Sequence, residues 1–517
     1  MRPLVHHRIY AILLCLLAAS MTTSVFATNL VWVLLLANWV AEWNWKEKFS
    51  GFGHNHLLQA FLALAAIHLL WLVGTSNMAY ALNDIQKKLP LFAIPLVILT
   101  SCPLTTKERL NVGIAYIGAI FVVSIIGLVR YLTLPDLPYR EIVPYISHIR
   151  FGLNICMAMA ILAYTAYKHR HAWLYCLSFA MALWFCYFLF LLHAYTAFII
   201  LFVTVWVMLI TFRKEIAEPL RIPALGLVAL CSCIVIGWVG YYIHAYYHLQ
   251  PLSTQPLEVR TVNGNEYQHL DDNLIENGNY VHRYICEKEL RQEWSKVSPL
   301  PIDTLTEVGY TIYPALVRYL NGMGVTKDSL GMTHLTSTDI RAIEKGIANP
   351  VYIQHGPRKM VYVLCYEYEN YRCYRNVSNF SMLQRLELWN NGWHIFLQHP
   401  LWGVGTGDVV DECHQRFEET HSPLAGTNLH THNQYLNFLL AFGLVGFLAI
   451  LFFFIRPFRH HHRSPLLVTF LCILLVSFLS EDTLETLAGI TFAAFGLAFL
   501  YSHFNDSDSK TCTDTTH

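Results

Sequence analysis

Long runs in which nearly every position is apolar recur along the chain, separated by short polar links. Their lengths predict helices that cross a bilayer. About twelve such runs can be drawn, near residues 9–27, 29–42, 57–74, 90–101, 109–130, 149–167, 172–192, 195–212, 222–246, 428–455, 465–480 and 484–502. Apolarity on every face excludes the alternating pattern of a membrane β-barrel. The pattern breaks once, between about residues 247 and 427, where charged and turn residues return. Four regions follow: an N-terminal bundle over 1–246, a large loop domain over 247–427, a C-terminal group of spans over 428–504, and a polar tail over 505–517 whose composition predicts disorder.

Composition supports this reading. Of 517 residues, 55% are hydrophobic and 14% charged, with a mean hydropathy of +0.39, so the expected class is an all-α polytopic membrane protein. A net charge of zero gives no reason to expect nucleic acid. Arg2 and Arg8, Lys46 and Lys48, Lys107 and Arg109, Lys168 and Arg170, Arg213, Lys214 and Arg221, and Arg456, Arg459 and Arg463 fall on one side of the predicted spans. The positive-inside rule makes that side cytoplasmic, with both termini in it and the large loop outside. Lys87, Lys88, Arg130 and Arg140 fall on the opposite side. The N-terminal run can be read as a cleavable signal peptide or as an uncleaved first helix, and the number of spans that follow favours the helix.

Within the loop, "ENGNYVHRYICEKELRQEWSKV" spaces Glu287, Glu289, Leu290, Trp294 and Val297 as an amphipathic helix, and "VYVLCYEYENYRCYR" alternates in part and suggests a strand or hairpin. "SMLQRLELWNNGWHIFLQHP" brings Leu383, Leu386, Trp389, Trp393, Phe396 and Leu397 to one face of a helix ending before Pro400. Such a helix is expected along the outer membrane boundary, with Arg385 and Glu387 on its polar face. Cys286, Cys365, Cys373 and Cys413 are either free thiols or paired in one of about three ways.

The stretch "LHTHNQYLNFLLAFGLVGFLAILFFFIRP" sets His432, Asn433 and Gln434 against the start of a span, followed by Gly443 and Gly446. The glycines allow close helix packing. A polar, titratable group at the membrane boundary is a site hypothesis, with a plain helix start as the alternative. "SEDTLET" places Glu481, Asp482 and Glu485 at a similar depth, where they orient His432, bind sugar, or are ordinary loop acids.

His432-Asn433, nine residues, then Gly-x-x-Gly resembles the signature of the O-antigen ligase and O-antigen polymerase superfamily of bacterial membrane glycosyltransferases. "RLELWNNGWHIFLQHPLWGVGTGD" is similar to that family's loop motif, and "SHIRFGLN", with Arg150 at an outer helix start, is a third match. The resemblance implies an inner-membrane enzyme with a periplasmic loop. It would move a glycan from undecaprenyl pyrophosphate to a hydroxyl of lipid A core or of a second lipid-linked glycan, with no metal or cofactor.

The residue chemistry suits that activity. Arg150 and Arg385 supply fixed positive charge for pyrophosphate, with a lipid-headgroup contact and a solvated arginine as their plainer readings. His432 suits the proton taken from the acceptor hydroxyl. Asn433 and Gln434 fix its tautomer or bind sugar hydroxyls. Many family members carry another arginine where this chain has Tyr195 and Thr196 in "LLHAYTAFII". "GVGTGD" lacks dinucleotide-loop spacing, "RHHHR" is explained by charge anchoring, and "DSD" at Asp506 to Asp508 falls in the polar tail. A transporter of lipid-linked glycans, which predicts symmetric broken helices, is the rival class. A non-catalytic scaffold is a third.

Overall fold

The computed structural model describes residues 2–134, 137–214, 218–270, 273–354, 357–374, 381–427, 429–459 and 464–503. The expected tail over 505–517, its "DSD" triplet, and residues 460–463 of the basic run lie outside these.

The longer helices are α1 (Arg2–Thr23), α2 (Val25–Ala41), α3 (His56–Leu70), α4 (Met78–Thr100), α5 (Thr106–Thr133), α6 (His148–His169), α7 (Ala172–Leu191), α8 (Tyr195–Thr211), α9 (Glu218–Tyr247), α10 (Glu287–Val297), α11 (Ile312–Met323), α12 (Pro357–Tyr374), α13 (Ser381–Gln398), α14 (Val409–Glu419), α15 (Gln434–Ile455), α16 (Pro465–Ser480) and α17 (Leu487–His503). Six of these, α1, α5, α6, α7, α9 and α15, are long and apolar enough to cross a membrane. A seventh is added if α2 and the segment Trp45–His54, bent from it by 101°, form one span. Helices α3, α8, α16 and α17 are apolar but shorter. Helix α4 carries Asp84, Lys87 and Lys88 and contains Pro90 and Pro95. Each expected span therefore has a helix, while length and composition alone qualify six or seven of them.

The chain forms two compact units, Met1–Arg221 with Leu388–His517, and Ile222–Glu387. In the second, β1 (Ile275–Glu276) pairs antiparallel with β2 (Asn279–Tyr280). Leu290 and Trp294 of α10 share a core with Leu316, Tyr319 and Leu320 of α11, as the amphipathic spacing predicts, although Val297 is exposed. Glu276 is fully buried. It accepts from Arg318 at 2.9 and 3.0 Å and from Asn349 at 2.7 Å, which offsets the cost of burying its charge. Cys286, Cys365, Cys373 and Cys413 form no disulfide with one another.

The strand or hairpin expected for "VYVLCYEYENYRCYR" is corrected here, because the segment is helix α12. Val361, Tyr362, Cys365 and Glu369 are buried, at spacings of one, four and eight residues from the first. That is a helical face, and it packs with Tyr246 of α9. Helical burial here overrides the β-preference of the valines and tyrosines. Helix α13 ends where expected, but its apolar residues divide: Leu383 is buried with Leu388 and Ile395, while Leu386, Trp393 and Leu397 are exposed.

In the first unit α15 is broken at Gly443, whose φ of 62° and ψ of −170° lie outside helical space. A break in a membrane helix frees backbone groups that need partners. The loop after α13 supplies them. Leu444 and Val445 N–H donate to the carbonyls of Pro400 and Leu401 at 2.8 and 3.1 Å. In return Val404 and Gly405 N–H donate to Leu440 and Ala441 at 2.8 and 3.0 Å. A Cβ on Gly443 would meet the Leu401 carbonyl. Gly443 therefore admits a loop where a helix partner was expected, while Gly446 faces Trp71, just past the end of α3.

The same loop continues onto the α3–α4 connection. Asp408 accepts from the N–H groups of Ser76 and Asn77, both at 2.7 Å, and the Thr406 hydroxyl donates to the His68 carbonyl at 2.9 Å. The loop thus clasps α15 to α3 and α4. Gly443→Ala is expected to cost about 1–3 kcal/mol through backbone strain and to lower the melting temperature in detergent. Gly118→Ala, on α5 with open space around it, should be neutral or slightly stabilising. An unchanged melting temperature for Gly443→Ala would contradict the clasp.

Candidate functional site

The link between α16 and α17, residues 481–486, is where charge concentrates in the first unit. Glu481 and Asp482 are buried, and the Glu485 side chain is only 10% exposed. Unpaired, each buried carboxylate would cost several kcal/mol. Helices from elsewhere in the chain supply the pairing.

Arg150 comes from the first turn of α6, where Ser147 caps the helix by accepting from the Arg150 N–H at 3.3 Å. Its Nη1 lies 2.9 Å from Glu481 Oε2, and its Nη2 lies 3.4 Å from Asp482 Oδ1 and 3.3 Å from the Asp482 carbonyl. Its Nε donates to the Thr486 hydroxyl at 3.2 Å. Lys88 comes from α4 and lies 2.9 Å from Glu485 and 2.8 Å from Asp84.

Helix α15 closes the arrangement. Asn433 is its cap, accepting from the Leu436 N–H at 3.1 Å. Gln434 is fully buried. Its carbonyl accepts from the Leu484 N–H at 2.8 Å and its amide donates to Glu485 at 3.2 Å, while Asn437 donates to Glu485 at 2.7 Å. Asn433 and Gln434 thus hold the helix start and the acidic link, and neither is hydrogen-bonded to the imidazole.

His432 stands just before that cap in a left-handed conformation, φ 47°, uncommon for a residue with a side chain. Its Nδ1 lies 3.5 Å from Asp482 Oδ1, an ion-pair distance longer than a hydrogen bond. Its side chain is 32% exposed whereas Asp482 is 9% exposed, so the imidazole lies between a buried carboxylate and the surface. Burial alone would push the Asp482 carboxyl up, but His432 and Arg150 outweigh it and hold the group at about 2. Glu485 is likewise pushed up by burial and held below the usual carboxylate range by Lys88.

Around this point two cations, Arg150 and Lys88, face four carboxylates, Asp84, Glu481, Asp482 and Glu485. His430 lines a small cavity beside them with Lys88, Asn437 and His68. Ligand atoms of His432, Glu481 and Asp482 lie within 4.8 Å of one another, close enough to hold a metal ion. The Arg150 guanidinium already pairs with both carboxylates, so a cation would have to displace it.

The structure therefore brings together His432, Arg150, Glu481 and Asp482, with Asn433 and Gln434 as supports. Arg385 lies half-buried on α13 in the other unit, where neighbouring Glu387 accepts from the Tyr371 hydroxyl at 3.4 Å. Tyr195 stacks on His193 with ring centroids 5.9 Å apart. Sequence reasoning missed Lys88, Asp84 and Asn437. The available signal was a lysine on the side opposite most of the positive charge, four residues after an aspartate.

Residues 347–451 match the family model for O-antigen ligase. The match covers about a fifth of the chain and is a likeness of that segment to the O-antigen ligase family. No curated protein matches it at a significant level. The matched segment contains α13, the clasp loop, His432 and the Gly443 break. Arg150, Lys88 and the acidic link lie outside it.

Arg150→Met should leave two buried carboxylates without a cation, at a cost of about 3–5 kcal/mol, and adding Glu481→Gln should recover part of the loss. Thermal unfolding in detergent measures both, and an unchanged midpoint for Arg150→Met would contradict the pairing. Because the Asp482 carboxyl is depressed from its ordinary 3.8 to about 2, its stabilising contribution is complete above about pH 4 and lost as pH falls through about 2. In Asp482→Asn that acid-side loss of stability should shrink, and a pH–stability curve measures it.

Proposed function

We propose that this protein is a membrane glycosyltransferase that moves a glycan from undecaprenyl pyrophosphate to an acceptor hydroxyl, with O-antigen ligation to lipid A core as the leading reaction. The observation that carries the reading is the half-exposed His432 beside buried Asp482, itself fixed by Arg150, within a family whose described activity is ligation. The site is taken to face the outside of the inner membrane, with both termini cytoplasmic and the large loop periplasmic.

In the proposed reaction the acceptor oxygen attacks the anomeric carbon. The bond from that carbon to the pyrophosphate oxygen breaks, and its electron pair leaves with the pyrophosphate. With Nδ1 turned to Asp482, the other ring nitrogen of His432 takes the hydroxyl proton and releases it to the departing phosphate or to water. Asp482 supports the positive imidazole, as the orienting carboxylate of a base does elsewhere. Arg150, engaged with both carboxylates, positions Asp482. On residue chemistry alone, the planar guanidinium of Arg385 suits the paired oxygens of a pyrophosphate. The negative surroundings of His432 favour a neutral hydroxyl there over a phosphate.

Transport predicts broken helices in symmetric positions. The break in α15 is filled by the clasp loop with backbone hydrogen bonds, which gives no support for a moving gate there.

The test is transfer by purified protein given an undecaprenyl pyrophosphate-linked oligosaccharide with lipid A core or with a second lipid-linked unit, in EDTA. Product on the core is the expected result, and elongation of the lipid-linked chain would make the protein a polymerase. Loss of transfer on adding EDTA would contradict the expected metal independence. His432→Ala should lower transfer by about 10²–10⁴-fold with membrane insertion intact. A wild-type rate in that variant would remove the base, and no product with bound donor would move the weight to transport or scaffolding.

A further inference from the structure

A cavity of 570 Å³ opens between α5, α6 and α7 and reaches α16 and α17, within the roughly 300–1,000 Å³ range of small-molecule sites. Its body is apolar, with Leu110, Leu177, Phe470 and Phe499 among its walls. Its polar end gathers Arg109, Lys168, His169 and His171, and among the described residues that line it none is acidic. Glu108, next to Arg109, is turned away: it accepts from the N–H and hydroxyl of Thr105 at 2.9 and 2.7 Å and pairs with His7. Arg109 is anchored through the His503 carbonyl and the Thr106 hydroxyl, and Lys168 lies 5.8 Å from the Tyr164 ring.

This cationic end is far from the candidate active site. Arg150 begins α6 and Lys168 ends it, and eighteen residues of helix separate them by about 27 Å. An apolar groove with positive charge at one end complements an amphiphile with an anionic head and a hydrocarbon tail. A carrier lipid seated here would hold its pyrophosphate at the end away from His432, so it is the poorer occupant.

We infer that this groove binds one anionic membrane phospholipid, with its phosphate against Lys168, His171 and Arg109 and an acyl chain along α5 and α7. The site is independent of the glycan-transfer reading. Gly113 lies in its wall with open space where a side chain would stand, so a larger residue there fills the groove while favouring helix.

Native mass spectrometry of the full chain, extracted from bilayers of equal phosphatidylglycerol and phosphatidylcholine, tests this. Phosphatidylglycerol should be retained preferentially, with retention falling about fivefold in Lys168→Gln/His171→Gln. Gly113→Leu should lower retention without altering the head-group charge, and its folding is checked by helical signal and gel-filtration profile. Equal retention of the two lipids, or unchanged retention in both variants, would overturn the inference. So would displacement of phosphatidylglycerol by stoichiometric undecaprenyl phosphate, which would assign the groove to the carrier.

Discussion

Three carboxylates within five residues, Glu481, Asp482 and Glu485, are kept out of water by the fold. Carboxylates so placed repel one another and lose hydration, so the arrangement exists only if cations reach them. Arg150 arrives from α6 and Lys88 from α4, and α15 adds the amides of Gln434 and Asn437. Charge neutralisation therefore ties α4, α6 and α15 to the link between α16 and α17. The placement of His432 depends on it, because the residue facing the imidazole is one of those pinned acids.

A second constraint works along α15 itself. The helix begins at the Asn433 cap and breaks at Gly443, and the break stays closed because the loop after α13 accepts and donates the displaced hydrogen bonds. One loop thereby serves two ends. Near Pro400 it seals α15, and at Asp408 it caps the turn into α4, the helix that carries Lys88. The glycine-rich character of "HPLWGVGTGD" follows from this close backbone approach: a Cβ on Gly403 or Gly407 would collide with the main chain of α15 or with Asn77.

Much of the helix layout was legible from hydropathy, since each apolar run became a helix, and the period of 381–398 gave α13 with its correct end. The α12 segment was not, because tyrosine and valine prefer strands locally and only packing against α9 decides for helix. Asn433 and Gln434 were found by position; Asn433 acts locally as the cap, but the role of Gln434 needed partners fifty residues downstream in the acidic link. Lys88 was counted as an exception in the charge bias, since nothing local in the sequence links it to Glu485 almost four hundred residues away. Gly443 was recognised as a packing residue, whereas its positive φ depends on the loop that enters beside it.

The most direct test of a His432–Asp482 unit is a double-mutant cycle on the glycan-transfer rate, using His432→Ala, isosteric Asp482→Asn and both together. If the carboxylate acts through the imidazole, Asp482→Asn lowers the rate on its own and adds nothing once His432 is gone. A wild-type rate for Asp482→Asn, or two losses that simply multiply, would contradict it.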